Sequence, residues 1–255
     1  MDIQSIFDLL ESNYRKYNCP EFIENDPISI PHKYTRLQDI EISGFFAATL
    51  AWGSRKVILR KGNELMSLMD NSPFDFVMNH SESDLKPMNS FKHRTFNSLD
   101  LLYFIHFFKR FYQQHASLET AFLPVAGAED IESGLTGFQK LFTSDEYFPP
   151  HTFKHVSTPS RNSACKRLNM YLRWMVRHDT HQVDFGLWKR IKPSQLVCPC
   201  DLHVERVARA LDLIEQSKGG WRMAKELTSN LKVFDAQDPV KYDFALFGMG
   251  MNRIY

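Results

Sequence analysis

The stretch Cys198–Leu211 reads CPCDLHVERVARAL. Val204, Val207, Ala208 and Leu211 recur at i, i+3, i+4 and i+7, which makes one face of a helix apolar. Asp201 stands just ahead of that pattern and Pro199 just ahead of Asp201. Aspartate is a preferred N-cap, because its carboxylate accepts the unpaired amides of the first turn. The cap also places a carboxylate at the positive end of the helix dipole. His203 and Arg206 fall on sides less committed to burial. A capped core helix accounts for all of this by itself, and a catalytic carboxylate is the competing reading.

The segment before it, STPSRNSACKRLNMYLRWMVRHD from Ser157 to Asp179, follows the breaker Pro159. On a helical wheel Lys166, Met170, Arg173 and Arg177 share one face, with Leu168, Tyr171, Leu172 and Met175 roughly opposite. Burial of the second face would turn Lys166, Arg173 and Arg177 outward or into a cleft. From Lys154 to Lys192 there are nine Lys or Arg against Asp179 and Asp184, within a chain of net charge +1. A local excess of that kind suits a phosphate backbone, or is simply a solvated basic helix.

A chain of 255 residues can bury a substantial core. Eleven glycines are too few for a turn-dense β fold, and no hairpin turn joins alternating runs. Helical periodicity appears over 2–17, with Ile3, Ile6, Phe7, Leu10 and Tyr14 on one side. It reappears over 37–51, 73–80, 98–115 and 129–142, and the expected class is all-α. In 37–51, Ile40, Phe45, Ala48 and Leu50 alternate with Asp39 and Glu41. In 98–115 a wide aromatic side includes Leu99 and His106, the latter expected as a core histidine. Residues 18–35 and 143–160 are broken by prolines and read as irregular connections. Phe91, Lys92, His93 and Arg94 are either solvated or close to phosphates. No apolar run reaches membrane length and the N-terminus is not a signal peptide, so a cytoplasmic protein without membrane partners is expected. Cys19, Cys165, Cys198 and Cys200 do not form a disulfide framework. Cys198, Cys200 and His203 lack a fourth ligand, so neither metal nor cofactor is expected.

Asp201-x-His203-Val204-x-Arg206-Val207-Ala208 resembles the signature of the helix-hairpin-helix DNA glycosylases of the endonuclease III type, the HhH-GPD superfamily. The resemblance implies a two-lobed helical fold with a cleft between the lobes. It also implies duplex DNA as partner, a flipped base, and Asp201 as the catalytic carboxylate. Leu202 stands where the family usually has Thr. Bifunctional members carry a lysine at the start of the helix after the hairpin, which places Lys166 in that role, attacking the sugar C1′ to form a Schiff base. Lys166 and Asp201 are 35 residues apart, a spacing nearer to the archaeal 8-oxoguanine glycosylase branch. The family hairpin reads Leu-Pro-Gly-x-Gly; here it is Pro159-Ser160-Arg161-Asn162-Ser163, so Arg161, Asn162 and Ser163 side chains would replace main-chain donors. GFFAATLAWGSRK resembles the family's break beside the extruded nucleotide, which makes Trp52 and Arg55 candidates for stacking or wedging. Arg167, Arg173, Arg177 and His203 complete the DNA-binding candidates, and Asp243, in a tail resembling the family's last helix, is a further acid. Relatives with an iron–sulfur cluster bind it through cysteines after the Asp helix, and none follows Cys200.

LRWMVR and DPVKYDFALFG also resemble a bacterial family without assigned function that is related to these glycosylases, over residues 37 to 252. The implied lobes are 37–178, and 1–36 with 195–255. The leading expectation is a DNA repair N-glycosylase with or without lyase activity. The alternatives are a nucleic-acid-binding module on the same fold that has lost catalysis, and a protein-interaction scaffold.

Overall fold

A computed structural model describes residues 1–252. Twelve α-helices and short 3-10 turns make up the regular structure of these residues, with no strand among them. The first are α1 (Ile3–Tyr17), α2 (Pro20–Glu24), α3 (Leu37–Leu50) and α4 (Arg55–Leu68). Then come α5 (Pro73–Asn79), α6 (Glu82–Leu85), α7 (Ser98–Tyr112) and α8 (Glu132–Phe142). The last are α9 (Lys166–Val176), α10 (Leu202–Ala210), α11 (Gly220–Leu231) and α12 (Asp243–Asn252). The fold is all-α, and no helix of the described residues is long and apolar enough to cross a membrane.

The chain divides into two compact units. One holds residues 24–122 and 137–157; the other holds 1–23, 123–136 and Thr158 onward. This division differs from the lobes expected at 37–178 and at 1–36 with 195–255; residues 253–255 of the latter lie outside the described residues. Helix α9 belongs with α10, so Lys166 and Asp201 share one unit instead of coming from two. Residues 183–188 fold back on the end of α9, where Phe185 N donates to Trp174 O (2.8 Å) and Trp188 N to Met175 O (2.9 Å). These bonds satisfy carbonyls that a helix C-terminus leaves open.

The 24–122/137–157 unit is centred on α3, buried without interruption from Ile40 to Leu50. Its Phe45 and Phe46 meet Phe104 and Phe108 of α7 at ring distances of 5.5–5.8 Å. Glu41, expected on a polar side, is fully buried. It accepts bonds from Tyr112 Oη (2.8 Å), Ser117 Oγ (2.6 Å) and Leu118 N (3.0 Å). A buried carboxylate is tolerable when its oxygens are satisfied in this way. Helix α7 starts at a capping box in which Asn97 Oδ1 takes the Leu99 and Asp100 amides. Two expectations for α7 are corrected. Leu99, one residue inside that start, is 52 % exposed. His106 is partly solvated, with Nε2 3.1 Å from Asp145 Oδ2. The connections 18–35 and 143–160 are also more regular than expected: they contain α2 and the 3-10 turns Pro27–Ser29, Pro31–Lys33, Pro150–His155 and Pro159–Arg161. Proline at the first position of these 3-10 turns starts them instead of breaking them.

In the other unit α12 lies against α1 and α10. Gly248 allows the close approach: a Cβ there would sit 2.1 Å from Tyr17 Cδ2. Asp2 caps α1 through Ser5 N at 2.7 Å.

Candidate active site

Asp201 is the N-cap of α10. Its Oδ1 accepts both the His203 amide (2.8 Å) and the Val204 amide (2.9 Å). Its Oδ2 accepts no hydrogen bond within the described residues, and the residue is half-buried. One oxygen therefore holds the helix while the other stays open. His203 lies beside it, with its ring 6.3 Å from that of Phe247.

Lys166 is the first residue of α9 and is exposed; it makes no ion pair among the described residues. The turn leading into it has no glycine, yet two of its residues are left-handed: Asn162 (φ 53°) and Cys165 (φ 47°). Asparagine is among the few non-glycine residues that adopt this region readily. Asn162 is exposed, and its side-chain oxygen is committed to the protein while its Nδ2 donates no hydrogen bond among the described residues. Its Oδ1 accepts from Trp221 N (3.1 Å) and Arg222 N (3.4 Å) at the start of α11, and its backbone carbonyl also takes Trp221 N at 3.2 Å. Ser163 Oγ accepts the Cys165 amide at 3.2 Å, so it too is committed to the turn. Arg161 is exposed and Arg167 half-buried. Asn162→Ala is expected to cost about 1–2 kcal/mol in urea unfolding, through loss of the α11 cap and the left-handed preference. It should leave the salt dependence of DNA binding unchanged; an unaltered stability with a reduced salt slope would make Asn162 a phosphate contact after all.

Arg173 and Arg177 require the main correction. Both are buried, at 4 % and 1 % exposure, and neither faces solvent. Arg177 Nε lies 2.8 Å from Asp238 Oδ2, and its Nη1 lies 3.1 Å from Asp184 Oδ2 and 2.6 Å from Asp179 Oδ2. Its Nη2 donates to Tyr14 Oη at 2.6 Å. Arg173 bonds Asp243, and its Nε lies 3.3 Å from Asp184 Oδ1. The Phe244 ring lies 4.1 Å from the Arg173 guanidinium carbon. Two guanidiniums are thus enclosed by four carboxylates at the end of α9. Burial works against the charge on Arg177, but the Asp184 and Asp238 carboxylates outweigh it and hold the guanidinium protonated. Burial likewise pushes Asp179 up, and Arg177 and Asn18 bring it down to about 2. Asp238 precedes the 3-10 turn Pro239–Tyr242 but makes no side-chain cap bond to it; its carboxylate is taken by Arg177.

Asp243, the first residue of α12, is pushed up to about 7 by burial, only partly offset by Arg173. The folded protein therefore keeps a proton that the unfolded chain releases near pH 4. Folding takes up that proton between about pH 4 and 7, so this group's contribution to stability falls as pH rises through the window and is flat above it. The slope reaches at most about 1.4 kcal/mol per pH unit. Asp243→Asn should remove it: the stability difference between variant and wild type changes from pH 4.5 to 7 and is constant from 7.5 to 9. A constant difference throughout would contradict the assignment.

Burial raises the Cys198 thiol well above its usual range and pushes Cys200 up to about 12, so neither is a thiolate near neutrality. Among the described residues no three His, Cys, Asp or Glu are placed to hold a metal ion. Trp52 and Arg55 lie in the other unit. Trp52 is half-buried, its ring 6.2 Å from His93 and 5.7 Å from His155, and Arg55 lies 3.9 Å from Asp26 Oδ2. An open groove of about 1160 Å³ is lined by Ser160, Asn162, Trp221, Arg222 and Lys225 among others; neither Lys166 nor Asp201 lines it.

A family profile described as a protein of unknown function, DUF2400, matches residues 26–252. The chain belongs to the DUF2400 family. No curated protein and no solved structure is detectably similar to it. The match takes in both units, so the buried Arg173/Arg177 cluster and the Asp201 cap both lie within the DUF2400 region.

Proposed function

We propose that this DUF2400 chain is a DNA N-glycosylase acting on a damaged base flipped out of the duplex, with Asp201 as its catalytic carboxylate. The observation that carries the reading is the half-buried N-cap of α10, in which Oδ1 is fixed by two amides and Oδ2 is open. Such a carboxylate is held rigidly and needs no rearrangement to face the cation-like sugar that forms as a base departs. It can also orient the water that attacks C1′. The left-handed turn before α9 and the exposed Lys166 support a lyase step in the same enzyme, in which the deprotonated lysine amine attacks C1′ as the base leaves, and the C1′–O4′ bond then breaks, with a proton passing from nitrogen to O4′, to give an imine.

The test is incubation of the protein with duplexes carrying uracil, hypoxanthine, 8-oxoguanine or an abasic site, with borohydride added to trap an imine. Base release from at least one duplex is expected, and any trapped adduct should vanish in Lys166→Gln. Salt-dependent DNA binding with no release across the panel would favour a binding module without catalysis. No salt-dependent binding at all would favour a protein-interaction scaffold.

A further inference from the structure

The segment Phe91–Phe96 closes a tight turn: His93 N donates to Phe96 O (2.8 Å) and Phe96 N to His93 O (2.9 Å). At its tip Arg94 adopts φ 55°. A left-handed arginine costs roughly 1–2 kcal/mol relative to an ordinary conformation. Strained positions of this kind concentrate where a side chain must be aimed. Arg94 is exposed and lies across Gly53, whose φ of +102° only glycine adopts easily; a Cβ there would fall 2.8 Å from Arg94 Nη1. Gly53 ends the break between α3 and α4. Helix α4 then opens Ser54-Arg55-Lys56, with no acidic residue in its first turn and no side-chain cap bond.

The charges around this point are one-sided. Lys56, Lys92 and Arg94 are exposed and make no ion pair among the described residues. Lys61 lies 5.2 Å from the Phe91 ring centre, which ties the turn to α4. The acids nearby are engaged: Glu64 is 2.7 Å from Lys61 and 3.9 Å from Arg60, and Asp26 is 3.9 Å from Arg55. Arg94 at Gly53, Lys92 two residues before it and Lys56 in the first turn of α4 are thus unmatched cations near a helix start that has no side-chain cap, an arrangement that attracts a chain of phosphates.

We infer that Lys56, Lys92 and Arg94, gathered around Gly53, form a surface for the phosphodiester backbone of DNA. This extends the proposed DNA reading to the other unit and names residues outside the Asp201 site. A polyanion suits three separate cations better than a single acidic side chain does, and the phosphodiester chain carries one charge at every step.

The experiment is fluorescence anisotropy with labelled duplex DNA across a salt series. It uses wild type, the triple variant Lys56→Gln/Lys92→Gln/Arg94→Gln, and Lys140→Gln as an exposed control on α8. Each lost phosphate contact should lower the log–log salt slope by about 0.9, and the triple variant should bind at least about tenfold more weakly at constant salt. Lys140→Gln should bind as wild type does. Equal slopes for wild type and the triple variant, or an equal loss in the control, would overturn the inference. So would displacement of DNA by polyglutamate as readily as by unlabelled duplex of the same charge. Single-turnover base release at saturating DNA separates this from the catalytic reading. The triple variant should retain the wild-type rate there, while a wild type that binds with the full slope and releases nothing defeats only the reading of Asp201.

Discussion

Arg177→Met is expected to lower the stability of the protein by about 3–5 kcal/mol, measured as a shift in urea midpoint at pH 7.5. The side chain is 1 % exposed and is the only group that meets Asp179, Asp184 and Asp238 together among the described residues. Its removal leaves Asp184, itself 2 % exposed, with Arg173 alone, and strips Asp238 of the guanidinium that counters its burial. An orphaned buried carboxylate is far more costly than the pair was worth, and domains hold only about 5–15 kcal/mol in total. Much of the variant should therefore be unfolded at physiological temperature. Arg177→Lys should recover only part of the loss, because one ammonium cannot reproduce bonds made from Nε, Nη1 and Nη2. The exposed pair Arg36–Asp75 is the internal comparison: its side chains are 47 % and 61 % exposed, and Arg36→Ala should cost no more than about 1 kcal/mol. If Arg177→Met cost as little as Arg36→Ala, the cluster would not be what fastens α9 to its surroundings.

That cluster also marks where reading the residues stopped short. The wheel for α9 correctly joins Lys166, Met170, Arg173 and Arg177 on one face, because that face depends only on spacing. What covers the face depends on residues remote in sequence. Lys166 at its start is exposed, whereas residues 179–184 and 238–243 enclose Arg173 and Arg177 at its end. The available signal was in two of the four aspartates, Asp184 in Val183-Asp184-Phe185 and Asp243 in Tyr242-Asp243-Phe244, which stand between apolar neighbours. Acids so placed need partners if they are buried. By contrast, the Asp201 cap was legible in the sequence, since a cap and its amides lie within three residues; Asp2 and Asn97 cap α1 and α7 in the same local way. Glycine-free sequence before α9 suggested lost main-chain geometry, but asparagine at 162 supplies the left-handed turn and gives its side-chain oxygen to the first amides of α11.

The largest effect expected on the proposed activity belongs to Asp201, whose helix cap and proposed catalytic role can be separated by choice of substitution. Asparagine caps helices about as well as aspartate, and its side-chain oxygen can take the His203 and Val204 amides as Oδ1 does now. It offers no negative charge and no base. Asp201→Asn should therefore unfold with the wild type, while base release falls roughly 10²–10³-fold, the usual effect of removing one preorganised electrostatic contact. Asp201→Ala should lose activity to a similar extent and about 1 kcal/mol of stability as well. A structural cap with no chemical role gives the opposite pattern, with Asp201→Asn active and Asp201→Ala merely less stable. The decisive measurement is the single-turnover rate of base release by folded Asp201→Asn on whichever duplex the wild type processes. A rate reduced at least about a hundredfold with an unchanged urea midpoint is predicted; a wild-type rate from that variant would contradict the account.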